Sequence, residues 1–486
     1  MIERLPADVT LDELQSLMDE GALTAEELVY QCLDAVAERS GGPQGLNAII
    51  EVNPDAAAIA AVLDQEREAG RVRGPLHGIP VVLKDNIDTG DHQHTSAGSL
   101  ALAAHYAARD AHLVRRLRHA GAVILGKAGM TEWANFMTEG MPNGYSSRGG
   151  QVLNACGPFD AGGSSSGSAS AVSGELAPLA VGTETSGSIL SPASQQGVVG
   201  LKPTLGYVSR SGIIPIAHSQ DTAGPIARSV RDALILLRAI VGGDRRDPVS
   251  YLGESHPLPR PEELEEGALQ GRRFGVPRDY LGDLPAPLAA GLAKALQTLQ
   301  DLGATVVDPA PIPSAGREWG EEVLFYEFKA DLNAYLGHTG PDVPVHSLRE
   351  LIFFNERNRR LLLRYGQTLL LQSEATSGTL SDPAYLRARR RDLRWSRQEG
   401  IDHALAASRL DALLIPNNYG ADIAARAGYP SICVPAGVTS EGVPFALTFC
   451  GTAFAEAQLV RFGYAYEQAT RARAAMPLRH RSPTKA

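Results

Sequence analysis

Three polar residues of this sequence could together carry out acyl transfer with a lysine as the base. Ser188 ends a tight turn of small residues at 185–188, and Ser164 lies in a second turn of the same kind. Lys84 directly follows a short apolar run at 79–83, which can bury its amine. A buried lysine can be held neutral and accept a proton, and a tight turn can direct backbone N–H groups at an oxyanion. The alternative is that these serines only cap helices.

Other catalytic patterns fit the Gly- and Ser-rich segment at 137–192 less well. A phosphate-binding loop needs GxxxxGK[ST], but Ser168 stands where the lysine belongs. The stretch GSSSG matches a nucleophile elbow, but the preceding CGPFDAGG cannot form the strand that an elbow requires. A histidine-based triad stays open, because the sequence cannot select one of the twelve histidines. His77 and His218, which lie in Gly- and Pro-rich segments, are the strongest candidates.

The elements that must position these residues alternate between helices and short apolar strands. TLDE and TAEE near the N-terminus fit capping boxes and predict two helix starts. The segments DAHLVRRLRHAGAVILGK and LAAGLAKALQTLQDLGATVVD each predict a helix, a terminating glycine and a buried strand. Of the six lysines in the chain, Lys84, Lys127 and Lys202 adjoin such strands. Strands alternating with helices indicate an α/β sheet with helices on its faces.

Composition and charge exclude several classes of protein. The 486 residues are 44% apolar and 21% charged, as in a globular protein with a large core. A formal net charge of −10 argues against nucleic-acid or anionic membrane partners. Four scattered cysteines form neither a disulfide framework nor a zinc site, which fits a reducing cytoplasm. MIERLPADVTLDELQ lacks an apolar signal region, and no apolar run approaches ~18 residues, so we expect a cytoplasmic protein without a membrane span.

The Gly/Ser segment and its neighbours resemble a known family. Residues 162–193, GGSSSGSASAVSGELAPLAVGTETSGSILSPA, are similar to the signature of the amidase signature family. The flanking blocks KDNIDT, ILGKAGMTEWANF and GVVGLKPTLGYVSRSGIIPIAHSQDTAGPIARSV resemble its other motifs in the same order. The likeness extends to EFKADLNAYL, YPSICVPAG and the last helix, and so covers most of the chain. GYSSRGG, GTET and IPIAHSQDTAGP are similar to the peptide amidase branch of the family.

The resemblance implies a mixed central β-sheet flanked on both faces by α-helices, and a Ser-Ser-Lys triad. Ser188 falls on the family's nucleophile, Ser164 on its bridging serine and Lys84 on its base. The implied reaction is hydrolysis of a carboxamide through an acyl-enzyme. The resemblance also implies a cis peptide bond between Gly163 and Ser164. Neither a metal nor a cofactor is expected.

The resemblance assigns further residues around the triad. The backbone N–H groups of an oxyanion hole would come from Thr185, Ser186, Gly187 and Ser188. Gly163 and Ser186 would contact the substrate, Ser186 because it stands where the family usually has glycine.

Several other polar residues have structural interpretations. Asn86, Glu132 and Glu184 are expected to hydrogen-bond the groups that surround the site. Asp221 and Arg228 are expected to form a buried ion pair. Cys156 is expected to line a wall.

We expect one amidase domain over 1–486. It would comprise a helical N-terminal part at 1–70, a catalytic core at 71–245, a variable substrate-pocket region at 246–410, and C-terminal strands with a closing helix at 411–486. The expected enzyme is a monomer or homodimer that cleaves small-molecule or peptide C-terminal amides. Two alternatives are the glutaminase component of a tRNA-dependent amidotransferase and an inactive binding protein on the same scaffold.

Overall fold

The computed structural model describes residues 8–42, 45–476 and 478. The remaining residues belong to the predicted parts 1–70 and 411–486 and lie outside the described residues. The strands are β1 (Ile49–Val52), β2 (Pro80–Lys84), β3 (Val123–Ala128), β4 (Tyr145–Ser146), β5 (Gly150–Gln151), β6 (Leu179–Glu184), β7 (Val199–Lys202), β8 (Thr222–Ala227), β9 (Arg273–Gly275), β10 (Thr305–Val307), β11 (Ala412–Pro416), β12 (Ser431–Val438) and β13 (Pro444–Cys450).

Helices occupy most of the sequence between these strands. They are α1 (Leu11–Asp19), α2 (Ala25–Arg39), α3 (Ala56–Glu68), α4 (His112–His119), α5 (Ser166–Ser173), α6 (Leu190–Gln195), α7 (Val230–Ile240), α8 (Arg278–Leu281), α9 (Ala286–Asp301), α10 (Glu322–Leu336), α11 (Leu348–Arg357), α12 (Arg359–Leu362), α13 (Thr368–Glu374), α14 (Pro383–Leu393), α15 (Asp402–Ser408), α16 (Ala421–Ala427) and α17 (Glu456–Thr470). Short 3₁₀ segments are Leu100–Leu102, Glu132–Asn135, Pro248–Ser255, Pro261–Glu263 and Ala472–Ala475, and a π-helical segment is Arg394–Ile401.

In the described part of the chain, 11 strands form one mixed sheet. Its order is β1-β3-β2-β6-β8-β7-β12-β13-β11-β9-β10. β2 is parallel to both β3 and β6, whereas β6 and β8 are antiparallel. Every residue of β2, β3 and β6 is buried, which requires cover on both faces of the sheet. The predicted mixed α/β sheet with flanking helices is confirmed.

Local signals placed several of these elements correctly. Thr10 and Thr24 both form the predicted capping boxes, with Glu13 and Glu27 as partners. The predicted helix–glycine–strand order is found in α4 and β3, and again in α9 and β10. The prediction of a helical part at 1–70 missed one strand, β1, which pairs antiparallel with β3 at the sheet edge. Four residues without an alternating pattern gave no signal for that pairing.

The hydrophobic core is divided between the sheet and a helical region. The larger cluster lies along the sheet strands and the helices that cover them. A second cluster contains Phe328 of α10, Leu351 of α11 and Leu370 of α13, together with Trp133 and Ile214. The helices of the predicted variable region therefore pack against segments that adjoin the candidate site.

Candidate active site

Lys84 is the last residue of β2 and is completely enclosed, with 0% of the residue exposed. Its Nζ lies 2.8 Å from Ser164 Oγ, 2.9 Å from Thr183 Oγ1 and 3.0 Å from the Thr183 carbonyl oxygen. Eighty residues of sequence separate Lys84 from Ser164. The structure thus brings together the predicted amine and the predicted bridging hydroxyl.

Burial lowers the pKa of Lys84 from its usual 10.5 to about 7, because desolvation penalises the ammonium form. The negative charges of Glu184 and Asp221 act in the opposite direction. A large fraction of Lys84 is therefore neutral near pH 7. A neutral amine has two N–H donors and one lone pair, so it can donate to both Thr183 oxygens and accept the Ser164 hydroxyl proton.

Ser164 lies in a turn of small residues that neighbouring groups approach closely. The Gly163–Ser164 peptide is cis, as the family resemblance implied. A Cβ at Gly163 would stand 2.4 Å from Asn143 Oδ1, so a larger residue there would require the Asn143 side chain to move. α5 begins two residues later, and a Cβ at its Gly167 would come within 2.5 Å of the Ala48 carbonyl oxygen. The small residues of this segment therefore allow α5 to pack tightly against neighbouring backbone.

Ser188 lies in the turn between β6 and α6, and 6% of the residue is exposed. Gly187 has a φ of +80°, which a residue with a side chain adopts only at a cost. Glu184 Oε2 accepts the backbone N–H groups of Ile189 and Leu190, which fixes the chain just after Ser188. The two serine turns are adjacent, because the Ser165 N–H donates to the Ser188 carbonyl oxygen over 3.2 Å.

The predicted oxyanion donors are available for hydrogen bonding. Within the described residues, the structure shows no acceptor for the backbone N–H groups of Thr185, Ser186, Gly187 and Ser188, nor a partner for Ser188 Oγ. Ser186 is exposed, whereas Gly163 and the other three residues are buried. Free donors beside a hydroxyl are the arrangement that a developing oxyanion needs. The role of each of these residues stays a prediction.

Thr183 was missed by sequence reasoning although it has the most contacts with Lys84. Its Oγ1 also accepts the Asn86 amide over 3.0 Å, and its carbonyl oxygen accepts the Ser165 hydroxyl over 3.0 Å. Asn86 therefore does bond a group beside the site, as expected. The sequence contains no local signal for this contact, because it exists only through the pairing of β6 with β2.

Glu184 and Glu132 also have the structural roles expected of them. Glu184 fixes the turn at Ser188, and Glu132 accepts from both the Ser147 N–H and its hydroxyl. Cys156 is buried, and its thiol lies 3.4 Å from the Gln196 carbonyl oxygen. This contact indicates a structural role for Cys156.

The expected pairing of Asp221 with Arg228 is wrong. Arg228 donates instead to the carbonyl oxygens of Val9, Val172 and Ala177. Asp221 accepts from Thr185 Oγ1 at 2.5 Å and from the N–H groups of residues 216 and 217. Sequence proximity suggested the pair, but the two residues lie at opposite ends of β8.

Neither histidine candidate completes a triad with the serines in the described part of the chain. His77 Nε2 lies 2.9 Å from the Leu63 carbonyl oxygen. His218 pairs with Asp331 of α10 at 2.8 Å. Lysine is therefore the basic side chain that the structure brings to Ser164.

One group of side chains has donors spaced as metal ligands could be. In the described residues, atoms of His218, Glu327 and Asp331 lie within 4.8 Å of one another. Hydrogen bonds already engage these atoms, because Asp331 accepts the His218 N–H and ring, and Glu327 accepts the Ser219 N–H and the Tyr385 hydroxyl.

A cavity of about 520 Å³ opens beside these groups. Thr183 and Thr185 line it from the sheet, and Asp331 and Tyr335 line it from α10. α10 belongs to the region predicted to shape the substrate pocket. As for membranes, the helices within the described residues include none with the length and apolar character that crossing a bilayer requires.

Comparison with known proteins identifies the family. The sequence model described as Amidase matches residues 31–425. A peptide amidase from Stenotrophomonas maltophilia is 45% identical, and its structure matches with a TM-score of 0.89 over 97% of this chain and 99% of that chain. A probable amidase of Arabidopsis thaliana is 39% identical over 95% of this chain and 90% of its own length.

The chain belongs to the amidase signature family. It is an amide hydrolase, similar to peptide amidases. A more distant relative is one subunit of the glutamyl-tRNA(Gln) amidotransferase of Moorella thermoacetica, which is 32% identical over 95% of this chain and 96% of its own length.

Proposed function

We propose that this enzyme hydrolyses small or peptide C-terminal carboxamides to a carboxylate and ammonia or an amine. Ser188 is the nucleophile, Ser164 the bridging serine and Lys84 the base. The observation that carries the proposal is the 2.8 Å contact between a fully buried Lys84 amine and Ser164 Oγ, next to the turn that holds Ser188. A Ser-Ser-Lys arrangement is the combination of nucleophile, relay and base that acyl transfer requires.

The first half-reaction forms one C–O bond and breaks one C–N bond, and protons move among Lys84, Ser164, Ser188 and the leaving nitrogen. Neutral Lys84 takes the Ser164 proton while Ser164 takes the Ser188 proton, and Ser188 Oγ attacks the amide carbonyl carbon. Ser164 then gives a proton to the leaving nitrogen and recovers one from the Lys84 ammonium. The C–N bond breaks, the amine leaves, and an ester to Ser188 remains.

Water completes the cycle by the same route. It loses a proton to Ser164, which again passes its own proton to Lys84, and its oxygen attacks the ester carbonyl. Ser188 leaves with a proton from Ser164, which recovers one from the Lys84 ammonium, so all three side chains return to their initial states. The free N–H groups at 185–188 stabilise both tetrahedral intermediates, and one such donor is typically worth ~3 kcal/mol.

Two observations support the proposed substrate class. The high similarity to a peptide amidase over nearly the full length of both chains favours amides of peptides or of similarly small molecules. The cavity beside Thr185 is large enough for a side chain or a short peptide end. Ser186 is the exposed member of the turn and can contact the bound substrate.

The test compares wild type with Ser188→Ala on aliphatic, aryl and peptide C-terminal amides, with release of ammonia or amine as the readout. We expect turnover of peptide or small amides by wild type and none by Ser188→Ala. Ser191→Ala, three residues further along at the start of α6, is the matched control and should keep full activity. Turnover by Ser188→Ala equal to wild type would contradict the proposal.

Two further results would favour the alternatives. Hydrolysis of glutamine only after partner proteins are added would indicate the glutaminase component of an amidotransferase. A fluorophosphonate that leaves Ser188 unlabelled in folded protein would indicate an inactive binding protein.

A further inference from the structure

Asp221 connects two parts of the candidate site that the proposed mechanism treats separately. It lies just before β8, is half-buried, and lines the 520 Å³ cavity. Its Oδ1 accepts the Thr185 hydroxyl over 2.5 Å. Its Oδ2 accepts the N–H groups of Ile216 and Ala217 over 2.8 and 2.9 Å. One carboxylate oxygen therefore fixes the first residue of the turn at 185–188, called here the oxyanion turn because it carries the predicted oxyanion donors. The other oxygen fixes residues 216 and 217 at the cavity wall, which Ile216 lines.

A carboxylate is the side chain that this position requires. Three donors converge on Asp221, and two oxygens with free lone pairs can accept them all. An asparagine has the same shape but one acceptor oxygen, so it could serve Thr185 or the two N–H groups but not both. Because Thr185 is the first residue of the turn that ends at Ser188, losing its anchor would let the oxyanion donors move.

Asp221 also acts on the base through its charge. The charged groups that act on Lys84 are Glu184, at the end of β6, and Asp221, and both raise the pKa of the lysine. Asp221 is itself acted on by Asp331 of α10, while burial raises the pKa of Asp221 to about 7. Its charge in turn favours the protonated form of Arg210. The ionised form of Asp221 thus opposes the effect of burial on Lys84.

We propose that Asp221 is a positioning residue for the proposed amide hydrolysis, because it holds the oxyanion turn in register with the cavity wall and places a negative charge near the base. This inference rests on the proposed function. It assigns Asp221 a task in the reaction, whereas sequence reasoning gave it only a buried ion pair.

The test is Asp221→Asn, assayed on a neutral amide substrate across pH. We expect kcat to fall about tenfold or more, because the donors lose their alignment. We also expect the acid limb of kcat/KM to move to lower pH by about half a unit. The reason is that the negative charge of Asp221, which stabilises the Lys84 ammonium and raises its pKa, is absent from this variant. A residue that only supports the fold would not move that limb.

Asp232→Asn is the matched control. Asp232 is another buried aspartate whose pKa is raised by burial, to about 6, but it accepts the Leu11 N–H and lies in the first turn of α7, which Ser229 caps. This change should lower the unfolding temperature and leave the pH limb in place. Wild-type kcat, KM and pH profile in Asp221→Asn would overturn the inference.

Thr185→Val tests the same contact if Asp221→Asn does not fold. It removes the hydroxyl that Asp221 holds, so kcat should fall, and Thr185→Ser should recover most of the loss. Wild-type kcat in folded Thr185→Val would overturn the inference. The Ser188→Ala assay keeps the two proposals distinguishable: activity without Ser188 contradicts the proposed function, whereas loss at Ser188 with no effect at Asp221 or Thr185 contradicts only this one.

Discussion

Lys84 and Lys127 are both completely buried at the ends of neighbouring parallel strands, yet their surroundings differ. Lys84 pairs in register with Ala128 and Lys127 with Leu83, so the two side chains point to opposite faces of the sheet. Lys84 meets the hydroxyls of Ser164 and Thr183. Lys127 donates to the Ile87 carbonyl oxygen over 2.6 Å and to Thr95 Oγ1 over 2.9 Å.

The surrounding charges separate the two lysines further. Burial lowers the pKa of Lys127 too, but four carboxylates oppose that effect, from Asp85, Asp88, Asp91 and Glu51. Two carboxylates, Glu184 and Asp221, oppose the effect of burial on Lys84, whose amine contacts the Ser164 hydroxyl and the hydroxyl of Thr183, a residue that lines the cavity. Burial alone therefore does not allow a lysine to act as a base. The lysine also needs a hydroxyl beside it that can pass it a proton from the nucleophile.

Of the changes that compare the two lysines, Lys84→Ala should have the largest effect on activity. We expect kcat to fall by ~10³-fold or more, because proton transfer by a positioned base contributes that order of rate. The measurement is steady-state amide hydrolysis, with circular dichroism to show that the fold remains. Residual activity should rise at high pH, where hydroxide can replace the amine. Wild-type turnover at neutral pH would refute the assignment of Lys84 as the base.

Lys127→Met should affect stability instead. It leaves the nearby buried carboxylates without a positive charge, and breaking such an arrangement costs ~3 kcal/mol or more of the free energy of unfolding. Denaturant unfolding measures this loss, and Lys127→Arg is the charge-conserving comparison. If the folded fraction of Lys127→Met lost as much kcat as Lys84→Ala, the contrast between the two lysines would fail.

Thr183→Val should have a smaller effect on rate than loss of Lys84. It removes one of the oxygens that orient the amine, which also accepts the Asn86 amide, so we expect kcat to fall about tenfold with a modest change in KM. Thr183→Ser keeps the oxygen and should restore most of the rate. Equal rates in the valine and serine variants would show that the hydroxyl does not orient Lys84.

The pH profile should show the smallest but most specific signature. The proposed mechanism needs neutral Lys84, and burial lowers its pKa to about 7, so kcat/KM should rise as pH increases through about 7 and then level off. The sign follows from the lowered pKa of an amine, whose active form is present above that value. A neutral amide substrate isolates the enzyme's titration. A profile that keeps rising to pH 10 would place the amine near its usual pKa.

The helices and strands were predicted from local sequence signals, whereas the contact between Lys84 and Ser164 was predicted from the family resemblance. Capping boxes and terminating glycines are local signals, so α1, α2, α4 and β3 could be located from short windows. The contact between Lys84 and Ser164 spans 80 residues, and resemblance to a family supplied it.

The contacts that the sequence did not predict depend on which strands pair in the sheet. Thr183 meets Lys84 because β6 pairs with β2, and no local pattern encodes that pairing. The Asp221–Arg228 pair failed for the same reason, since Arg228 reaches carbonyl oxygens contributed by residues 9 and 177. The single domain, the monomer or homodimer and the cytoplasmic location stay predictions.

The glycines beneath the serines have a practical consequence for redesign. At Gly167 one added carbon would come within 2.5 Å of backbone atoms, so that position leaves no room for a larger residue. At Gly163 the nearest atoms belong to the Asn143 and Thr131 side chains, which would have to move.

The α10 wall is built from side chains such as Asp331 and Tyr335. Each is hydrogen-bonded, Asp331 to His218 and Tyr335 to Asp88, so a change at either should be combined with a change at its partner. Libraries that seek new amide preferences should therefore vary these pairs and keep Gly167 unchanged.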